Sequence, residues 1–185
     1  MSPSQFQVDL SRFDNSWYHP GRSKIWLVLW YLTNEIFFRS GLLPVSSLKC
    51  WILRCFGAKV GKGVVIKPHV NIKYPWKLVV GDHCWIGENV WIDNLAEVVM
   101  ESNVCLSQGA MLLTGNHNFR LPTFDLMVKP ISLRNGVWIG AQAIVCPGVT
   151  ADSHAVLTVG SVATKDLEAF GIYSGNPAQK IKNRW

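Results

Sequence analysis

The chain has 185 residues, about the size of one domain, so a single site or interface is the expected scale. With 49% hydrophobic residues, nine tryptophans and only 16% charged residues, it is too apolar to be disordered. The formal charge of +6 suits a polyanion such as a phosphate, a nucleic acid or an acidic membrane surface without choosing among them.

The first residues, MSPSQFQVDLSRFDNS, are polar and lack a basic stretch before an apolar core, so no secretory leader is expected and the cytoplasm is the expected compartment. Residues 22–58 read as two apolar helices separated around Gly41-Leu42-Leu43-Pro44. The stretch Ile25 to Leu32 is broken by Thr33-Asn34-Glu35 and falls short of the roughly 18 residues that cross a bilayer. Two roles suit this segment, 1–58. It caps the fold that follows, or Trp26, Trp30, Phe37, Phe38 and Trp51, with Lys24, Arg39, Lys49 and Arg54, rest on the inner membrane face. The five cysteines, at 50, 55, 84, 105 and 146, form no C-x-x-C pair and read as small buried fillers.

From Val60 the chain repeats. Aliphatic residues recur every six positions as Val60, Ile66 and Ile72, then Val80, Ile86 and Ile92, then Met100, Leu106 and Leu112, each triplet offset by 20. The register resumes as Leu133, Ile139, Val145, Ala151, Leu157 and Ala163, with an offset of 18. The position four after the aliphatic is often small, and glycine is frequent directly after it, as at Gly61, Gly81, Gly87 and Gly140. On a 3.6-residue helix this spacing smears apolar groups around the axis, so a helix is excluded. Short strands joined by tight corners, three to a coil, fit it. Stacked about 4.8 Å apart, the coils form a parallel β-helix with a dry prism core. The expectation is about five coils over 59–168, with glycine supplying the corner conformations, and a C-terminal extension at 169–185 that turns helical at its end.

Between Leu112 and Leu133 lie 20 residues where one step needs five, so a loop at 113–130 leaves the prism. Long excursions from a rigid scaffold usually carry binding or catalysis. Its root, Thr114-Gly115-Asn116-His117-Asn118-Phe119, holds the only histidine of the loop. An imidazole there suits a general base acting on a hydroxyl, and equally a structural hydrogen bond. His19 lies in the irregular start, and His69, His83 and His154 occupy ordinary coil positions.

These repeats, the T-G-N-H-N root, Val137-Trp138-Ile139-Gly140-Ala141, Gly160-Ser161-Val162-Ala163-Thr164-Lys165-Asp166 and Gly175-Asn176-Pro177-Ala178 resemble the hexapeptide-repeat sugar O-acetyltransferases. Leu29-Trp30-Tyr31-Leu32, Phe56 to Ile66 and Tyr74-Pro75-Trp76-Lys77 resemble its colanic acid biosynthesis branch. The resemblance implies a left-handed β-helix, a homotrimer with sites between neighbouring prisms, and acetyl transfer from acetyl-CoA to a sugar or lipid-linked glycan. Under it His117 is the catalytic base, the Ala141 N–H the oxyanion donor, Trp138 a wall, and Asn94, with Asp93 as a weaker candidate, the acceptor contact. Gly160, Thr164, Lys165 and Lys182 line the CoA arm, although Gln179 stands where some relatives carry arginine. Trp76, Trp85 and Trp91 suit either stacking on a pyranose or packing on a neighbouring subunit.

Two other readings compete. A γ-class carbonic anhydrase shares the solenoid but needs three suitably placed histidines; His117 has no second histidine close behind it, so His83 and His154 would have to serve, and no metal is expected. A noncatalytic β-helix scaffold would need no acetyl-CoA. Nucleic acid is not an expected partner, because the basic residues are scattered and no recognition motif occurs.

Overall fold

A computed structural model describes residues 7–185; residues 1–6 of the N-terminal segment lie outside the described residues. Helix α1, Lys24–Asn34, starts at Ser23, whose hydroxyl accepts from the Trp26 N–H, and runs on into a wider π turn at Glu35–Arg39. Helix α2, Ser46–Cys55, follows. Together they close the first coil of the prism: Phe38 and Leu53 are fully buried, and the Trp30 indole N–H donates to the Ile72 carbonyl at 2.9 Å. Lys49 is buried too, donating to the Lys67 carbonyl at 2.8 Å, and burial lowers its pKa.

The membrane-facing set expected from sequence is therefore partly wrong. Trp30, Phe38 and Lys49 point inward, and Arg54 is tied to the Val60 and Gly61 carbonyls. Phe37 and Trp51 of that set are exposed, and beside them α1 turns outward Ile25, Val28, Leu29 and Leu32, continued by Ile36. Among the described residues no helix is long and apolar enough to cross a membrane.

The repeats build three parallel faces. Face one stacks Lys59–Val60, Leu78–Val80, Val98–Met100, Ile131–Leu133 and Thr150–Ala151, and Leu167 bridges to Ala151 beyond them. Face two stacks Val65–Ile66, Trp85–Ile86, Cys105–Leu106, Trp138–Ile139, Val156–Leu157 and Gly171–Gly175. Face three stacks Asn71–Ile72, Trp91–Asp93, Met111–Leu113, Ile144–Val145 and Val162–Ala163. The solenoid thus makes about six turns, the sixth incomplete, rather than five. Each strand is in register with the next, so Ile66, Ile86, Leu106, Ile139 and Leu157 form one buried ladder. Burying such a side chain contributes about 1.5–3 kcal/mol.

The C-terminal extension is a strand, not a helix. Ala178–Asn183 runs antiparallel to Gly171–Gly175 and covers the last edge of face two, which would otherwise be open to pairing with another chain.

Corner chemistry also differs from expectation. Left-handed backbone falls three residues after the aliphatics of faces one and two and after Val145, at Gly63, His69, His83, Asn89, Asn103, Gly109, Gly136, Gln142, Gly148, His154 and Gly160. The glycines directly after the aliphatic serve a different purpose: a Cβ on Gly140 would lie 2.7 Å from the Thr158 carbonyl carbon and the Val159 nitrogen. Glycine there permits close stacking and supplies no unusual φ.

Candidate active site

The excursion leaves the prism at the corner between faces three and one. Buried Thr114 fixes the exit: its hydroxyl donates to the Asp93 carbonyl and accepts from the Ala96 N–H, both at 2.9 Å. Beyond it Gly115–His117 pairs antiparallel with Leu126–Val128, so the expected loop is a hairpin with an irregular tip.

His117 is half-buried at the end of this ladder. Its ring stacks on Phe124, centroids 4.4 Å apart and planes 8° from parallel, and meets Phe13 at 5.6 Å. Nδ1 lies 2.9 Å from the Phe124 carbonyl. A carbonyl only accepts, so Nδ1 carries the proton and Nε2 keeps its lone pair when the ring is neutral. That is the protonation pattern of a general base held by its own hairpin.

His117 lines a cavity of about 460 Å³ with Phe13, Tyr18, Lys73, Tyr74 and Leu126. The wall is tightly bonded. Tyr18 donates to the Leu95 carbonyl at 2.8 Å, and Lys77 donates to the same carbonyl at 2.6 Å and to the Tyr18 oxygen at 3.1 Å. Burial pushes the Tyr18 hydroxyl well above its ordinary pKa, so it remains a neutral donor, and lowers that of Lys77.

Sequence reasoning overlooked these wall residues, although a signal existed. Coils offset by 20 carry two more residues than those offset by 18, and the surplus falls at this same corner: Ile72 to Val80 and Ile92 to Met100 are steps of eight. Tyr74, Lys77 and Leu95 lie in those widened corners, directly beside the hairpin root.

The acceptor candidates do not sit as expected. Asn94 is fully buried, its Oδ1 accepting from the Tyr74 N–H at 2.9 Å and its Nδ2 donating to the Tyr74 carbonyl at 2.6 Å. Its side chain holds Tyr74 in the wall and offers nothing to the cavity. Asp93 is partly buried, with Lys73 Nζ 2.9 Å from Oδ1 but off the hydrogen-bonding direction, so that oxygen is charge-paired without a hydrogen bond.

The remaining candidates lie elsewhere. Ala141 and Gly160 stack at the corner between faces two and three, joined by the Gly160 N–H donating to the Ala141 carbonyl at 2.9 Å. The Ala141 N–H has no hydrogen-bond partner among the described residues. Trp138 is exposed on face two, donating to Ser107 Oγ at 2.9 Å. Thr164 and Lys165 are exposed at the hairpin's corner two coils on, and Lys182 is exposed on the last strand opposite Ile172. One chain therefore does not gather His117, Ala141 and Gly160 into one cavity. His83 and His154 take left-handed corners between faces one and two, away from His117, and no group of three or more His, Cys, Asp or Glu placed to hold a metal occurs among the described residues.

No family model matches the chain. It is 35% identical over 176 residues to the colanic acid biosynthesis acetyltransferase WcaF of Escherichia coli, covering 95% of this chain and 97% of that one. The hexapeptide-repeat acetyltransferase VCA0836 of Vibrio cholerae, solved with acetyl coenzyme A, superposes with a TM-score of 0.76 at 20% identity, over 99% of this chain and 98% of that chain. A galactoside acetyltransferase in complex with coenzyme A superposes at 0.67 with 26% identity, over 72% of this chain and 68% of that chain.

Proposed function

Because the chain belongs to the hexapeptide-repeat acetyltransferases, alongside the colanic acid biosynthesis enzyme, we propose that it moves acetyl from acetyl-CoA to a hydroxyl of a sugar or exopolysaccharide precursor, with His117 as base. The observation that carries this reading is the Phe124 carbonyl on Nδ1, which leaves Nε2 able to take a proton beside a cavity. The acceptor O–H gives its proton to Nε2 as its oxygen attacks the thioester carbon. The tetrahedral intermediate collapses with loss of the C–S bond, and the imidazolium returns the proton to the CoA thiolate.

Because His117 and Ala141 occupy different corners of one prism, the site is completed by a second copy in a homotrimer. The hairpin of one protomer faces the neighbour's Ala141–Gly160 corner, whose free N–H meets the oxyanion, a contact worth about 10²–10³ in rate. Trp138 flanks that corner. CoA runs past Gly160, Thr164 and Lys165, with Lys182 toward its phosphates. Asn94 contributes by holding Tyr74, while Lys73 and Tyr74 face the acceptor. Supporting a lipid-linked acceptor, the outward row Ile25, Leu29, Leu32, Ile36 and Trp51 rests on the cytoplasmic membrane face.

The decisive assay follows CoA release and product mass with acetyl-CoA against sugars, nucleotide sugars and lipid-linked glycans. Transfer to at least one glycan is expected, and CoA release only at the rate of water hydrolysis with every acceptor would reject the reading. Solution mass should correspond to three chains; a stable, fully active monomer would sink the shared site. Sedimentation with anionic vesicles should fall about tenfold in a Leu29→Asp/Trp51→Asp variant, and equal sedimentation of both proteins would dismiss the membrane contact.

A further inference from the structure

A second cavity of about 370 Å³ lies between α1 and face three, and Lys73 and Tyr74 line both it and the His117 cavity. The two spaces are neighbours across one shared wall. Their individual volumes fall in the range of small-ligand sites, about 300–1,000 Å³.

The second cavity is built rigidly. Asn34 of α1 donates through Nδ2 to Asn71 Oδ1 at 2.8 Å and accepts from the Ile72 N–H at 3.4 Å, so helix and coil are stapled across its floor. The floor is the buried Trp30 indole, itself fixed to the Ile72 carbonyl. Two aromatic side chains stand open beside it, Tyr31 on the helix, 61% exposed, and Trp91 on the coil, 39% exposed. Around them lie two charge pairs, Glu35 with Arg39 and Lys73 with Asp93, the latter with an oxygen lacking a hydrogen bond.

That combination selects among ligands. Two carboxylates disfavour a phosphate, and four charged groups disfavour an acyl chain. Flat aromatic faces match the C–H faces of a pyranose, and planar carboxylate and guanidinium groups match its paired hydroxyls. We propose that this groove is a saccharide subsite adjoining the His117 cavity across Lys73 and Tyr74, so that the acceptor is a glycan of at least two units: the unit to be acetylated lies at His117 and the next lies against Trp91 and Tyr31. The inference rests on the acetyltransferase reading and names the acceptor's length.

The test is binding to a printed array of mono- to hexasaccharides by the purified protein, followed by kinetics on those bound. Di- and longer saccharides should bind and monosaccharides should not. Trp91→Ala and Tyr31→Ala should each weaken that binding, and raise the acceptor KM, about tenfold, with kcat and the acetyl-CoA KM unchanged. Trp91→Phe should restore most of the loss. Tyr31 is exposed on a helix where alanine is well tolerated, so an unchanged unfolding midpoint is expected for that variant. An array without bound glycans, or monosaccharides bound as well as longer chains, would overturn the subsite. So would a fall in kcat with unchanged KM. Loss of acetyl-CoA binding by the unsubstituted protein would instead strike at the acetyltransferase reading, so the two failures are distinguishable.

Discussion

Replacing His117 by alanine is expected to lower kcat for acetyl transfer by about 10²–10⁴-fold, the usual worth of a positioned general base. The loss should appear in kcat with little change in either KM, because proton transfer is made only in the transition state. Stability should move little: the ring is half-buried, its one side-chain hydrogen bond goes to the Phe124 carbonyl of its own hairpin, and the aromatic rings it meets, Phe124 and Phe13, both lie outside the prism. His117→Asn sharpens the test. An asparagine amide nitrogen takes the place of Nδ1 and can still donate to the Phe124 carbonyl but cannot carry a proton away, so it should be as inactive as alanine if the base role is right. A structural histidine predicts the reverse, with asparagine largely restoring activity. Measuring kcat for both variants, with thermal unfolding and acetyl-CoA affinity as controls, separates the two. Retention of more than about a tenth of activity by the alanine variant would remove His117 from the chemistry.

How far such a site is readable in advance depends on what each residue answers to. Ile66, Ile86 and Leu106 answer to the prism interior, which admits only aliphatic groups at one phase, so their period fixes all three faces. The left-handed corners answer to backbone geometry alone. Six of the eleven are filled by His69, His83, Asn89, Asn103, Gln142 and His154, so glycine does not mark them. His69, His83 and His154 thereby gain a structural explanation. Asn94 fits an acceptor contact as a residue type, but its use on the Tyr74 backbone is a matter of corner width, visible only as the difference between offsets of 20 and 18. Phe13 and Tyr18 reach the His117 cavity from far upstream, with no periodicity to announce them. The last strand is equally silent: Lys180, Ile181, Lys182 and Asn183 are all exposed, so no apolar alternation separates strand from helix, and only the pairing with Gly171–Gly175 decides it.

The close stacking that glycine permits leads to a stability prediction with a catalytic consequence. A Cβ at Gly140 would lie 2.7 Å from two backbone atoms of the next coil and 2.8 Å from the Leu157 carbonyl oxygen, and backbone cannot swing aside as a side chain can. Nor can the coils separate freely, because Gly140 N–H donates to Leu157 at 2.7 Å and Gly160 N–H to Ala141 at 2.9 Å. Gly140→Ala should therefore destabilise by about 1–3 kcal/mol and Gly140→Val by more, a large share of the roughly 5–15 kcal/mol available to a native domain. Gly160 supplies the contrast. Its φ is +65° and nothing lies within 4 Å of a Cβ built there, so Gly160→Ala should cost only the left-handed backbone preference, about 1–2 kcal/mol. Relief of the Gly140 clash moves the adjacent Ala141 N–H, so Gly140→Ala should also lower kcat, by up to the 10²–10³ or so that an oxyanion donor supplies. Denaturant unfolding and kcat on the three variants test both halves. A Gly140→Ala protein as stable as the parent would refute the stacking argument, and one destabilised but fully active would detach the Ala141 N–H from the oxyanion.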